Sequence, residues 1–346
     1  MLFGKPGLKF RYSNPGYALL ALVVERASGR RFSDYLDQEI FRRVGMNSTF
    51  VYDKADRKHD WVAVGYGQFG QVDDGTPTAI PGDGGIYSTV DDLFKWDQAL
   101  YTDELVRQSA LVEAFSPGKV EEGTSTYGFG WNIGQGGDGK YVWHQGNQAG
   151  FRAFIERRLK ERVSVIMLTN RGSTKRQEIN AAIQNVLAGR PYVLPRQSGA
   201  ERLYKVIHES GIAAALTAYG QLKGSFDYDV GESELNTLGY QLLYADAKPS
   251  DAIAILELNT TEHPGSSNAF DSLGEAYQVK GDGNRAVSSY EVALRLDQTN
   301  GHAAAMLKKL KRTHALWIIE AAVVAFAIVI LVAITGRRRL RKHFLH

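Results

Sequence analysis

A phenol, a carboxamide and an imidazole stand out as groups able to share acid–base chemistry. Tyr12 and Asn14 lie in "FRYSNPGY", residues 10–17, and His144 lies in "WHQGNQAGF", residues 143–151. A phenol can pass a proton, a carboxamide can hold a substrate amide, and an imidazole can act as acid, base or cation near neutral pH. Gly146 comes two positions after His144, and a residue without a side chain lets another molecule lie against the backbone. Each group also has a plainer explanation. Asn14 before Pro15 suits a helix cap, Tyr12 suits a core, and His144 beside Trp143 suits a hydrogen-bonded strand histidine. Cysteine is absent, which excludes a disulfide scaffold, a thiol nucleophile and a cysteine-ligated metal. The histidines are scattered and no Gly-rich phosphate loop follows a strand, so neither metal nor organic cofactor is implied.

Two further stretches fall between these groups. "GDGGIYSTVDDLFKW" at 82–96 combines a Gly-Gly turn with a helix start, and "YGFGW" at 127–131 reads as aromatic packing beneath a site. Tyr12-Ser13-Asn14, these two stretches and the His144 stretch, with a strand pair directly after it, resemble in that order the serine β-lactamase-like hydrolases. That group holds class C β-lactamases, D-alanyl-D-alanine carboxypeptidases and related esterases. The resemblance covers residues 1–195 and implies an α+β fold, an antiparallel sheet with flanking helices. It implies hydrolysis of an amide or ester in a small-molecule or peptide substrate. A serine supplied by S-x-x-K attacks the carbonyl, and water releases the acyl group. By the same resemblance Tyr12 relays the serine proton, Asn14 binds the substrate amide and the lysine, and His144 takes the cationic place of a K-T-G lysine, with Gly146 beside it. Asn147 then gives one oxyanion N–H. A phenol titrating near about 10 is a poor base at neutral pH, so Tyr12 needs positive charge nearby. An imidazole titrating near about 6.5 loses charge where a lysine keeps it, which argues against efficient β-lactam turnover.

One part of that pattern does not appear: no S-x-x-K precedes Tyr12. "SPGK" at 116–119 fits the letters but follows Tyr12, and Pro117-Gly118 makes a poor start for a helix, so it reads as a loop. The chain alone is therefore expected to be inactive, with apolar surface and a sheet edge left open. "LFGKPGLKFRYSN" reads as mid-domain sequence, which favours a truncated hydrolase. The alternative is a non-catalytic, membrane-anchored tetratricopeptide-like binding module carrying a relic domain.

The elements that must position these groups are legible in part. A first helix runs from Asn14 as cap to Gly29 as stop, with Leu20, Val23, Val24 and Ala27 on one face. A second covers 33–43 and buries Leu36, Ile40 and Phe41. A third is capped by Ser88 or Thr89. "FRAFIERRL" and "VSVIMLTN" read as strands joined by a turn at 160–162. A helix over 175–187 turns Ile179, Ala182, Ile183 and Val186 inward, and "GRPYVLPRQSG" reads as a linker.

Residues 200–312 are helix-rich and repeat. Leu238-Gly239 recurs as Leu273-Gly274, a spacing of 35, whereas Ala252 recurs as Ala286, a spacing of 34. The pattern resembles tetratricopeptide helix pairs, with a protein partner implied, and 211–223 suits the second helix of an earlier, degenerate unit. The run "ALWIIEAAVVAFAIVILVAIT", 315–335, is long enough at about 1.5 Å per residue to cross a bilayer core of about 30 Å. Glu320 lies near its start, where a carboxylate costs less than at the centre. Lys308, Lys309, Lys311 and Arg312 precede the run, and Arg337, Arg338, Arg339, Arg341 and Lys342 follow it in the basic tail, 336–346. A single-pass membrane protein is expected, with the hydrolase part outside the cytoplasm in a full-length parent, although "MLFGKPGLKF" is no secretory signal. The net charge is +3, and with nine cations clustered there the rest is net acidic, so no nucleic-acid role is supported.

Overall fold

The computed structural model describes residues 4–52, 62–73, 81–136 and 139–312. It divides into two compact units, Met1–Pro195 and Arg196–His346.

In the first unit, α1 (Asn14–Ser28) is capped by Ser13 and not by Asn14. The Ser13 hydroxyl accepts the Gly16 N–H at 3.1 Å, and a Cβ on Gly16 would crowd that oxygen at 3.3 Å. Gly29 ends the helix at φ 68°, a left-handed conformation that costs a glycine little. The expected inner face is not covered: Leu20 and Val23 are 55% and 58% exposed, and the helix buries Ala21 instead. Periodicity marks an apolar face, but coverage depends on neighbours that a local pattern does not contain. α2 (Phe32–Leu36) continues into a π turn, Asp37–Phe41. Leu36, Phe41 and Met46 make a small core against Leu93 and Trp96.

β1 (Phe50–Val51) pairs antiparallel with β2 (Ile86–Tyr87). α3 (Val90–Ala99) begins at Thr89, whose hydroxyl accepts the Asp92 N–H at 3.2 Å. α4 (Gln108–Ala114) follows. The main sheet is antiparallel throughout, in the order β3 (Asn132–Gly136), β4 (Gly139–Gln148), β5 (Phe151–Arg158), β6 (Val163–Thr169). Leu100, Leu111, Phe115, Trp131 and Val142 form the core between sheet and helices. A buried ion pair ties α3 to β5: Arg157 Nε donates to Asp97 Oδ1 at 2.6 Å, and Ser164 Oγ donates to the same oxygen at 2.7 Å. α5 (Arg176–Leu187) lies on the sheet with Gln184 inward and Val186 55% exposed, which shifts the expected inner face. Buried Glu156 on β5 causes this, because Asn180 and Gln184 both donate to it at 2.8 Å. β6 has no strand beyond it among the described residues.

The second unit is helical. β7 (Gln197–Ser198) pairs parallel with β8 (Tyr228–Asp229). Between them α6 (Gly199–Lys223) breaks at Gly211, where φ 81° and ψ 172° separate two arms. α7 (Glu232–Tyr240) runs into a π turn, Gln241–Ala245. α8 (Pro249–Glu262), α9 (Ser267–Lys280) and α10 (Gly283–Leu296) follow, and residues 301–312 are helical again. Two glycines permit close packing. A Cβ on Gly239 would come within 2.6 Å of the Leu256 side chain, and one on Gly274 within 2.9 Å of the Tyr290 ring. The apolar run 315–335 and the basic tail 336–346 lie outside the described residues. Among the described residues no helix is long and apolar enough to cross a membrane.

Candidate active site

The approach to α1 and the middle of β4 meet. The Tyr12 ring stacks on the His144 ring, with centroids 6.1 Å apart and 30° between planes. Tyr127 presents its edge to both, at 5.8 Å from Tyr12 and 5.9 Å from His144. Its hydroxyl lies 2.9 Å from His144 Nε2. Tyr12 is 49% exposed, so it faces an open surface and is no core aromatic. Asn14 is exposed at the first turn of α1, with its amide released from capping by Ser13.

Gly146 and Asn147 lie further along β4, and both are exposed. β3 pairs with β4 only as far as Trp143, opposite Asn132. Beyond that point one edge of β4 has no strand beside it among the described residues. Alternate N–H groups of 144–148 therefore face an open edge. Arg176 braces this segment: its guanidinium donates to the carbonyls of Gly146 at 2.7 Å and Ala153 at 2.6 Å, and to Asn147 Oδ1 at 2.5 Å. The Asn147 side chain is thus committed to structure. A Cβ on Gly146 would meet only the Ala153 Cβ, at 3.9 Å, so internal packing does not demand this glycine.

The loop 82–85 closes one side. A Cβ on Gly82 would stand 2.6 Å from the Tyr17 carbonyl oxygen, and one on Gly84 would stand 3.1 Å from Gln148 Oε1. The loop is therefore wedged between α1 and the end of β4, and it carries Asp83 toward Tyr12. Asp83 Oδ1 is buried with no hydrogen-bond partner among the described residues.

Burial pushes the Tyr12 phenol above its usual range, and Tyr17 and the Asp83 carboxylate push it the same way. Burial, then Tyr17, raise Tyr127 strongly. Burial holds His144 below its usual value, and a hydrogen bond with the Gln145 backbone opposes this in part. The cationic place expected for His144 is therefore taken by a ring that its surroundings keep toward neutral. The "SPGK" stretch is non-helical from Ser116 on, and the Ser116 hydroxyl donates to the Val112 carbonyl at 2.6 Å as a helix end. No cluster of His, Asp and Glu able to hold a metal occurs among the described residues. Tyr127, Asp83 and Arg176 were not singled out by spacing. "YGFGW" marked the first only as packing, and nothing local marks the other two.

A model of the Beta-lactamase family matches residues 2–189, over half of the chain, and the chain belongs to this family of serine hydrolases. The penicillin-binding protein 4* of Bacillus subtilis is 31% identical over 261 residues, covering 70% of this chain and 56% of that protein. A D-aminopeptidase of Gluconobacter oxydans is 28% identical over 198 residues, covering 54% of this chain and 36% of the relative. Among solved structures, a penicillin-binding protein from Bacillus halodurans is 28% identical, with a TM-score of 0.47 over 52% of this chain and 57% of that one. The chain spans about a third to just over half the length of such curated relatives.

Proposed function

We propose that residues 1–195 form the non-nucleophilic wall of an acyl-serine hydrolase cleft, acting on an amide or ester in a small molecule or short peptide. The carrying observation is the Tyr12–His144 stack, which gathers residues 132 positions apart at an open surface. Tyr12 is the proton-relay phenol, Asn14 holds the substrate amide, Gly146 leaves room for substrate along β4, and the Asn147 N–H is an oxyanion donor. The relatives' printed names, penicillin-binding protein and D-aminopeptidase, support a peptide-like or β-lactam-like substrate class. The 346 residues contain no S-x-x-K ahead of Tyr12, so this stretch of sequence does not form an acyl-enzyme by itself. Treatment with an activated phosphonate that labels reactive serines tests this. The expected result is no labelling, and stoichiometric labelling of any serine overturns the inactive reading.

The helical unit fits a second role as a tetratricopeptide-like protein-binding module. The Gly239–Leu256 and Gly274–Tyr290 approaches favour that reading, because they place small residues where paired helices cross.

A further inference from the structure

We propose that Arg176 is a positioning residue for the oxyanion donor: its guanidinium binds the carbonyl of the Gly146–Asn147 peptide, fixes that peptide's plane, and makes the N–H on its other side a stronger donor at the open edge of β4. The oxyanion statement rests on the hydrolase reading above; the statement about the peptide does not.

A guanidinium only donates, so the proton positions are fixed. Arg176 Nη1 donates to the Gly146 carbonyl at 2.7 Å and to the Ala153 carbonyl at 2.6 Å, and Nη2 donates to Asn147 Oδ1. The direction of the peptide follows from the ladder. β4 and β5 pair without a break from Tyr141↔Arg158 to Gln148↔Phe151. Next to that run the Lys140 carbonyl accepts the Leu159 N–H at 3.4 Å. Backbone groups alternate in an antiparallel pair, so even-numbered residues of β4 face β5 and odd-numbered ones face away from it. The Gly146 carbonyl therefore lies on the β5 side, where Arg176 reaches it. The Asn147 N–H points to the edge that has no strand beside it among the described residues. Carbonyl and N–H belong to one planar, conjugated unit. Charge drawn toward its oxygen is withdrawn from its nitrogen, and hydrogen bonds in a chain strengthen one another in this way.

Ordinary ion pairing does not account for Arg176. It is only 8% exposed, yet no carboxylate meets its guanidinium among the described residues. The charge beside it is a second guanidinium, that of Arg152. Its Nε is buried with no hydrogen-bond partner among the described residues. α5 begins at Arg176, the end of a helix where the dipole favours an anion. A buried cation held without a counter-ion costs stability. Its field is not cancelled locally, and it acts on the carbonyls that it binds and on the Asn147 amide behind one of them.

The test is NMR on the full chain with carbonyl-labelled glycine and nitrogen-labelled asparagine. The sequence holds two Gly-Asn pairs, 146–147 and 283–284. A spectrum that links each carbonyl carbon to the following amide therefore shows two signals, and Asn284→Gln assigns them. Arg176→Met should move the Gly146 carbonyl carbon upfield. It should also slow base-catalysed exchange of the Asn147 amide proton by about threefold or more, since a positive neighbour favours the amide anion through which that exchange runs. A brace without polarisation gives the other sign: the loosened strand exchanges faster or as before, and either result in the folded variant overturns the proposal. A second reading needs no variant to fold. Asn284, also preceded by glycine, lies in the first turn of α10, where an N–H has no partner within the helix. In the wild type Asn147 should exchange faster than Asn284, and an equal or slower rate overturns the proposal. Titration with N-acetyl-D-alanine methylamide should move the Asn147 amide proton downfield, at lower concentration in the wild type than in Arg176→Met. Equal concentrations overturn the claim that Arg176 strengthens this donor for a ligand. No response in the wild type overturns the oxyanion statement together with the hydrolase reading, while the exchange result decides the statement about the peptide by itself.

Discussion

Tyr12 sits in an environment opposite to the one a catalytic phenol needs. To take a proton near neutral pH it would have to titrate well below its usual value, which calls for a cation beside it. Burial, Tyr17 and Asp83 instead push it up, in that order. The sign for Asp83 is direct: a carboxylate disfavours a second negative charge, so its removal must lower the phenol's midpoint. Asp83→Asn should bring Tyr12 down toward the usual range but leave it raised, since burial remains the larger cause. Titration of ring-labelled tyrosine by NMR, with Tyr12→Phe for assignment, reads the shift. An unchanged midpoint would mean that the carboxylate does not face the phenol. Tyr12 and His144 were legible in the sequence because phenol and imidazole are chemically distinctive and their stretches keep a recognisable order. Asp83 and Tyr127 were not, because their importance comes from contacts across 71 and 17 positions that local spacing does not encode. Asn14 was legible as a residue but misassigned as a cap. Ser13 and Asn14 are both good cap types, and the space left by Gly16 decided for Ser13.

At the scale of elements, the helical unit shows how one residue of insertion is absorbed. The Leu-Gly pairs recur at 35 and the alanines at 34, so one extra residue lies between Gly239 and Ala252 in the first repeat. The π turn Gln241–Ala245 falls in that interval. An i→i+5 turn holds one residue more than an α turn, so the helix swells locally and the packing register on either side survives. Gly239 can therefore still face Leu256 as Gly274 faces Tyr290. Two substitutions separate packing from helix propensity. Gly220, in the second arm of α6, has open space where a Cβ would go. Gly220→Ala should stabilise the unit by about 0.5–1 kcal/mol. Gly239→Ala gains the same propensity but drives a methyl into Leu256, and a net loss of about 1–3 kcal/mol is expected. Urea denaturation of the full chain reads both, since both lie in one unit. Equal shifts of the same sign would show that Gly239 is no packing device. The repeat was visible as a letter pattern, and so were β5, β6 and most helices. The π turns and the Gln184 face of α5 were not, because an inserted residue and a buried Glu156 alter registers that a fixed period assumes.

Across the whole molecule, charge and hydropathy are unevenly spread, and the unevenness leads to the proposal of a membrane anchor. The run 315–335 carries a single charged residue, Glu320, and basic clusters stand on both sides of it. The clusters alone could hold the chain to an anionic surface at about 1 kcal/mol per cation, an attraction confined to roughly a Debye length. An inserted helix of about 30 Å is held by burial of apolar surface and is indifferent to salt. The two mechanisms separate under washing. At 1 M salt the Debye length falls to about 3 Å and surface attraction is lost. The full chain, expressed in a bacterial host and fractionated, should stay with membranes through 1 M salt and through alkaline carbonate. A chain ending at residue 312 should be released from membranes. Release of the full chain by salt alone would reduce the basic clusters to a peripheral contact and remove the span. Retention of the shortened chain would place the membrane contact within residues 1–312, where the exposed α1 face of Leu19, Leu20 and Val23 is the first candidate.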